Sequence, residues 1–548
     1  MDNRQEYARW LENVEDAALR AELESMTPAQ AEDAFYRSLA FGTGGLRGIL
    51  GAGTNRMNIY VVARATRGLA RWLGAGASVV IGYDSRRMSA AFARTAAEVF
   101  AACGVAVHIW PALLPVPTVS YAVRALGADA GVMITASHNP AQYNGYKVYG
   151  ADGCQITSRA AADILREIEK LDYFTPDRPV PFDAGLADGR IRSISPAVLD
   201  AYLEAVKGQS VLFGDAVDRD AAIVYSPLNG TGLVPVTRVL AESGYTNVTV
   251  VEAQREPDGD FPTCPSPNPE IREAMELGLE TCRRVNADLL LATDPDCDRC
   301  GIAVRDGADY RLLSGNEVGL LLLDYVCAQR TRHGRMPAHP LFVKTIVTTD
   351  LAGKIAAHYG VRTVNVLTGF KYIGEVIGSL EDERDFICGF EESYGYLTGA
   401  YVRDKDGVNA AFLICEMFAW YRTRGVSLTG RLSELYAQYG YCLNTLHSYA
   451  FPGSAGMQRM ADIMAAFRRG PERIGDRPVL RMEDYLPGLN GLPKADVLKF
   501  YLADGSVVVR PSGTEPKLKL YLSVTAPDRA AAEAVERSLT RALEKILI

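Results

Sequence analysis

The chain has 548 residues, too many for one hydrophobic core, so its length predicts three or four domains. With 48% hydrophobic and 23% charged residues it has an ordinary globular make-up, and a net charge of −8 argues against a general binder of nucleic acid or acidic membranes. No apolar run approaches the ~20 residues that span a bilayer, residues 1–6 lack a leader pattern, and ten scattered cysteines read as reduced thiols, which together predict a cytoplasmic protein.

In chain order, the first forty residues predict helix, with Leu11, Ala18, Leu19, Leu23 and Met26 spaced for one face. A glycine-rich loop spans 41–48, and a strand–helix pattern then occurs three times. The first unit predicts strands at 78–83, 105–110 and 130–134 with helices at 90–103 and 118–126. The second predicts strands at 221–225, 246–252 and 288–292 with helices at 233–243 and 270–285. The third predicts strands at 341–347, 363–367 and 386–388 with helices at 351–358 and 372–380. Such alternation implies parallel sheets with right-handed crossovers. The remainder, 435–548, reads as a meander of short strands with a closing helix from Ala526. Linkers are expected near 188–195, 306–314 and 425–429.

Each unit ends in a polar loop at the carboxyl edge of its sheet, where α/β folds collect their chemistry. In the first, Thr135-Ala136-Ser137-His138-Asn139-Pro140 follows an apolar strand and places a hydroxyl on a sharp turn. A Ser-His-Asp hydrolase is a poor reading, because no Gly-x-Ser-x-Gly elbow is present and neighbouring side chains tend to diverge. Lys147, ten residues past Ser137, is a candidate acid or base for a transferring oxygen.

In the second loop, Asp294, Asp296 and Asp298 alternate directly after Leu289-Leu290-Leu291, a donor set for Mg²⁺ or Ca²⁺. The EF-hand alternative fails, because Arg299 and Arg305 stand where that loop needs Gly and Glu. In the third, Glu391, Glu392 and Ser393 offer acceptors and a hydroxyl for vicinal sugar hydroxyls, and Thr368-Gly369-Phe370-Lys371 and Lys405 add cations nearby. In the last segment, Arg510, Ser512, Gly513, Thr514 and Lys517 make up what a dianionic phosphate requires. Cys297-Asp298-Arg299-Cys300 is formally a CxxC, but with no second pair nearby it is read as incidental.

Taken in order, residues 42–48, 135–140, 294–299, 389–395 and 510–517 resemble the α-D-phosphohexomutase family over nearly the whole chain. That family takes in phosphoglucomutases and phosphomannomutases, and one of its subgroups, which also holds phosphopentomutases, is similar at 52–58. The resemblance implies an α/β fold of four domains around a central cleft: three similar units with mixed, largely parallel sheets, and a distinct α+β C-terminal domain. Boundaries are expected at 1–190, 191–310, 311–430 and 431–548.

By the same resemblance, Ser137 is the phosphoserine, and Ser137, Asp294, Asp296 and Asp298 hold Mg²⁺. Arg47, His138, Lys147 and Arg299 surround the transferred phosphoryl group. Thr368, Gly369, Lys371, Glu391, Ser393 and Lys405 hold the sugar, while Arg510, Ser512, Gly513 and Thr514 hold its non-reacting phosphate.

The implied reaction interconverts glucose 1-phosphate and glucose 6-phosphate, an intramolecular phosphotransfer of the isomerase class, with glucose 1,6-bisphosphate as activator and intermediate. Partners are then small sugar phosphates, with no nucleic acid or membrane, in a monomer or dimer. Glu391-Glu392-Ser393-Tyr394-Gly395 is similar to the glucose-type loop rather than the Glu-Met-Ser-Gly-His form of dual mannose/glucose enzymes. The alternatives are a phosphopentomutase, a phosphomannomutase and, more remotely, a Mg²⁺-dependent sugar phosphatase with a cleft open to water. A non-enzymatic sugar-phosphate regulator would lack a motif residue, and none is missing. Cys297 and Cys300 depart from the small residues usual around the metal loop, which predicts exposure of that loop to oxidation.

Overall fold

A computed structural model describes residues 3–42, 44–174, 179–451, 453–489, 491–512 and 517–547, with the backbone alone at 453–455. The expected N-terminal helix is three short ones, Asn3–Asn13, Ala17–Ser25 and Pro28–Phe35. Asp16 breaks the run by accepting from the N–H groups of Ala18 and Leu19, and Thr27 with Gln30 forms a capping box ahead of Pro28. Ala18 is consequently exposed, and Trp10, Val14 and Leu23 carry the buried face. Trp10 meets Phe35, Tyr60, Tyr173 and Phe174 edge-on at 5.4–5.6 Å, which fastens these helices to the first unit.

The first sheet has six strands in the spatial order Leu46–Ile49, Tyr143–Gly150, Ala130–Ile134, Ser78–Tyr83, Ala106–Ile109, Ile191–Ser193. The last four are parallel; the first two run antiparallel. The second sheet orders Asp309–Leu313, Cys300–Asp306, Leu289–Thr293, Ile223–Ser226 and Val248–Val250, and the third orders Arg362–Val366, Leu341–Thr345, Phe386–Glu391 and Gly395–Thr398. Both repeat the design of parallel strands ending in an antiparallel return.

The polar loop of each unit is therefore the turn of a hairpin, between the last parallel strand and a return strand that periodicity does not show. Each turn contains one non-glycine residue in the left-handed region: Ser137 at φ +53°, Cys297 at +51° and Tyr394 at +64°. Two expected linkers are structured. Residues 188–195 contain the edge strand Ile191–Ser193, and 306–314 contain the hairpin strand Asp309–Leu313.

The C-terminal sheet is antiparallel, in the order Tyr441–Ala450, Lys517–Ala526, Gly505–Pro511, Leu498–Leu502, Arg481–Asp484, and the closing helix runs Arg529–Leu547. One continuous apolar core runs from Tyr202 to Cys442, so the second and third units are packed as one body. The helix Gly407–Arg422 is buried on nearly every side within it.

Trp10→Ala removes a fully buried side chain and should destabilise the first unit by about 3–5 kcal/mol. The check is an earlier first unfolding transition in denaturant, with the C-terminal domain's transition unmoved.

Candidate active site

The Ser137 turn is built from its own backbone outward. Ser137 N–H donates to Thr135 Oγ1 at 2.8 Å, and Asn139 N–H to the Ala136 carbonyl at 3.1 Å. A left-handed serine costs about 1 kcal/mol, and one buried residue that the sequence reading passes over holds it there. Arg86 donates to four loop carbonyls: Ser137, Asn139 at 2.5 Å, Pro140 at 3.0 Å and Tyr143 at 3.1 Å. Asp84 fixes that guanidinium from 3.3 Å and accepts from Ser89 Oγ at 2.7 Å. The available signal was Asp84-Ser85-Arg86, a charged run at the carboxyl end of the strand beside Ala130–Ile134. On the other side Gly45 passes so close to Tyr146 that a Cβ would lie 1.8 Å from its carbonyl oxygen, and at φ +80° only glycine suits the position.

The turn delivers Ser137 to the aspartate triplet of the second unit. Ser137 Oγ donates to Asp294 Oδ2 at 2.9 Å, and Thr135 Oγ1 to Asp296 Oδ2 at 3.2 Å. A backbone bond from Val116 N–H to the Asp296 carbonyl, 2.9 Å, ties the first unit to the same loop. Asp294, Asp296 and Asp298 are fully buried, each with an oxygen within 4.8 Å of the others.

Cations from three directions meet this charge. Lys147, on the return strand, lies 2.8 Å from Asp296 and 3.4 Å from Asp298. Lys405, from the third unit, lies 2.8 Å from Asp298. Arg299 lies 3.9–4.0 Å from Asp294 and Asp298 and is paired outward with Glu270. Arg47 donates to Asn139 Oδ1 at 3.3 Å beside them. Even so, Asp296 Oδ1 and Asp298 Oδ1 are buried with no hydrogen-bond partner. Buried carboxylate oxygens left in this state are the donor set of a hard divalent cation, so the residues present fit one.

These charges set the protonation states. Burial pushes the Asp294 carboxyl well above its ordinary range, and the charges of Asp296 and Asp298 push further. Burial alone would raise Asp298 too, but Lys405, Lys147 and Arg299 outweigh it and hold it below its ordinary value. Burial would lower Lys147, and Asp296 and Asp298 overcome it, so Lys147 is an ammonium. Burial, with Arg299 and Arg47, holds His138 far below its usual value, so its imidazole is neutral. His138 Nδ1 stands 3.2 Å from Ser137 Oγ. The two side chains were expected to diverge, and on this left-handed turn they converge.

Glu391 is buried at the end of its strand, where its Oε1 accepts from Gly369 N–H at 2.9 Å. Burial pushes its carboxyl up to about 7. Glu392 accepts from Thr345 and Thr348 hydroxyls at 3.3 and 3.1 Å. Thr368 Oγ1 is buried without a partner, and burial pulls Lys371 down to about 8. Ser393, beside them, is half-buried.

Arg510 lies one residue before the end of the strand Gly505–Pro511, its charge acting on Glu392 and Tyr372, and Ser512 N–H donates to the Lys517 carbonyl at 2.7 Å. Among the described residues no contact joins Arg510 to Ser137 or the aspartates, and Gly513 and Thr514 lie outside the described residues. Cys297 and Cys300 are fully buried, so the expected exposure to oxidation does not hold. The Cys297 carbonyl accepts from Gly407 N–H at 3.0 Å, where any larger residue would collide.

Comparison with known proteins agrees with this arrangement. Profiles described as phosphoglucomutase/phosphomannomutase alpha/beta/alpha domains I, II and III match residues 38–174, 200–307 and 314–439, and the C-terminal domain profile matches 452–540. The phosphoglucomutase of Staphylococcus haemolyticus is 35% identical over 532 residues, covering 94% of this chain and 95% of the relative. That of Staphylococcus aureus is 35% identical over 539 residues, covering 95% of each.

Among solved structures, a phosphoglucomutase/phosphomannomutase family protein from Burkholderia thailandensis has a TM-score of 0.67 at 19% identity, over 93% of this chain and 97% of that one. The open form of Paramecium pp63/parafusin, a phosphoglucomutase, has a TM-score of 0.69 at 15% identity, over 93% and 96%. These two show a shared fold alone. With four domain matches in order and relatives about a third identical from end to end, the chain belongs to the phosphoglucomutase/phosphomannomutase family of phosphotransferring mutases.

Proposed function

We propose that the chain is a Mg²⁺-dependent phosphoglucomutase that interconverts glucose 1-phosphate and glucose 6-phosphate through phospho-Ser137 and a glucose 1,6-bisphosphate intermediate. The observation that carries this reading is the Ser137 hydroxyl held 2.9 Å from a buried aspartate triplet with two partnerless oxygens. The activity named for the relatives supports the choice of glucose. Asp294, Asp296, Asp298 and a phosphoserine oxygen would hold the ion, which neutralises charge on the phosphoryl group.

The chain's own residues divide the remaining work. Glu391 and Ser393 orient the sugar hydroxyls, with Thr368, Gly369, Lys371 and Lys405 around them. As the serine P–O bond breaks and the bond to the sugar hydroxyl forms, that hydroxyl loses its proton and the serine oxygen gains one. Lys147, an ammonium on the same triplet, is placed to give it, and the proton released by the sugar hydroxyl restores the Lys147 ammonium, so the exchange balances. Arg47, His138 and Arg299 line the transferred group. Arg510 and Ser512, with Gly513 and Thr514, hold the phosphate that does not react. A fixed clamp facing a fixed transfer point lets the bisphosphate turn over and bind in either direction. Ten cysteines, none in a disulfide, suit the reducing cytoplasm.

The deciding assay compares glucose, mannose, N-acetylglucosamine and ribose 1-phosphates with Mg²⁺ and the matching bisphosphate; preference for any sugar but glucose overturns the substrate. Ser137→Ala should lower turnover on the order of 10⁴-fold or more with circular dichroism unchanged. Near-normal turnover in that variant rules out the phosphoserine. Arg510→Ala should raise KM about 10–100-fold with kcat little changed, because the clamp acts in ground and transition states alike. An unaltered KM removes Arg510 from the substrate.

Lys371 is cationic below its lowered value of about 8, so its contribution is complete in neutral solution and lost as pH rises through 8. Wild-type kcat/KM should fall above that pH, and Lys371→Arg, which stays charged, should hold it to about pH 9.5. A wild-type profile flat to pH 9.5 takes Lys371 out of the cleft.

A further inference from the structure

A cavity of about 820 Å³ opens at the far end of the third sheet from the cleft. Phe386 lines it, and Glu391, at the other end of the same strand, faces the cleft. At ~3.3 Å per residue the two ends stand about 16 Å apart. The volume is that of a small-molecule site. Three units form the wall: Arg124 comes from the first, Gln209 from the second, and Arg330, Arg335 and His339 from the third.

Two of the three acids on this wall are paired with arginines, and the third meets a backbone N–H. Asp382 forks onto Arg384, Glu383 takes Arg124 and Arg403, and Asp385 accepts the backbone N–H of His339 at 3.2 Å. Among the described residues neither Arg330 nor Arg335 is in an ion pair, and the Arg330 Nε is buried without a partner. The one hydrogen bond from the Arg330 side chain is a 3.4 Å contact with the Arg335 carbonyl. Burial pulls the Arg330 pKa down, and the titratable neighbours acting on it are the buried thiols of Cys388 and Cys327. A half-buried guanidinium whose Nε is sealed from water and which has no carboxylate is costly to keep, and an anion arriving in the cavity would offset that cost. The planar forks of two neighbouring arginines suit a phosphate group.

We propose that this cavity is a second anion site, separate from the cleft, which takes a phosphomonoester of nucleotide or sugar-phosphate size. Arg330 and Arg335 grip the phosphate, and Arg124 and Gln209 close the wall over the rest of the molecule.

The test uses the full chain loaded with Mg²⁺ and free of sugar phosphate, which the cavity itself would take. AMP, inorganic phosphate and adenosine are the probes, and hydrogen exchange over 330–339 and 382–386 is the readout. AMP should slow exchange there saturably with a Kd of about 1 mM or tighter, inorganic phosphate should do so more weakly, and adenosine should do nothing. Exposed Arg335→Ala should weaken AMP at least tenfold and leave turnover unchanged. Arg330→Met should lose AMP while Tm stays level or rises, because an unpaired desolvated charge has been removed. Four results overturn the proposal: no protection at 10 mM of either phosphate, protection by adenosine equal to that by AMP, unweakened binding in both variants, or a Tm lowered by several degrees in Arg330→Met.

Discussion

Three carboxylates held within 4.8 Å of one another, with no exposure to water, form the constraint around which this molecule is arranged. At that separation and an effective dielectric near 20, each pair would repel by about 3 kcal/mol if both were ionised, and with burial this holds the Asp294 carboxyl up. One unit does not supply the counter-charge by itself. Arg299 comes from the aspartates' own loop, Lys147 from the first unit and Lys405 from the third. The repulsion inside the loop is thus what the interfaces between units resolve, and it brings together the residues that the chemistry needs.

The remaining contacts keep those interfaces in register. Val116 and Gly407 form backbone bonds to the aspartate loop from the first and third units, so its position is fixed from both sides. The shared core from Tyr202 to Cys442 makes the second and third units a common base. Arg124 extends from the first unit onto the carbonyls of Ala400 and Tyr401, at 2.7 and 2.8 Å, in the segment that leads to Lys405.

The sequence shows the polar loops because each one interrupts an apolar strand, a contrast that survives without any tertiary information. It does not show the return strands. Tyr143–Gly150 is buried along most of its length yet carries Asn144, Gly145 and Lys147, so neither a period of two nor an apolar run marks it. Arg86 is hidden for another reason: its carbonyl partners lie 51–57 residues away, and nothing local sets it apart from a surface arginine. Most helix and strand positions were legible. The three N-terminal helices look like one in the sequence because an apolar stripe continues across the caps at Asp16 and Thr27. The meeting of His138 with Ser137 occurs on a left-handed turn, which composition does not encode.

Ser137, Cys297 and Tyr394 each take a positive φ in the hairpin turn of their own unit, with three unrelated side chains on turns of different length. The strain belongs to the architecture, and the chemistry belongs to whichever residue occupies the strained position. A repeated unit of this kind can diverge by exchanging one side chain while the hairpin beneath it stays intact. In the first copy that side chain is a hydroxyl aimed by the main chain at a carboxylate, in the second a thiol sealed in the core, and in the third an aromatic ring.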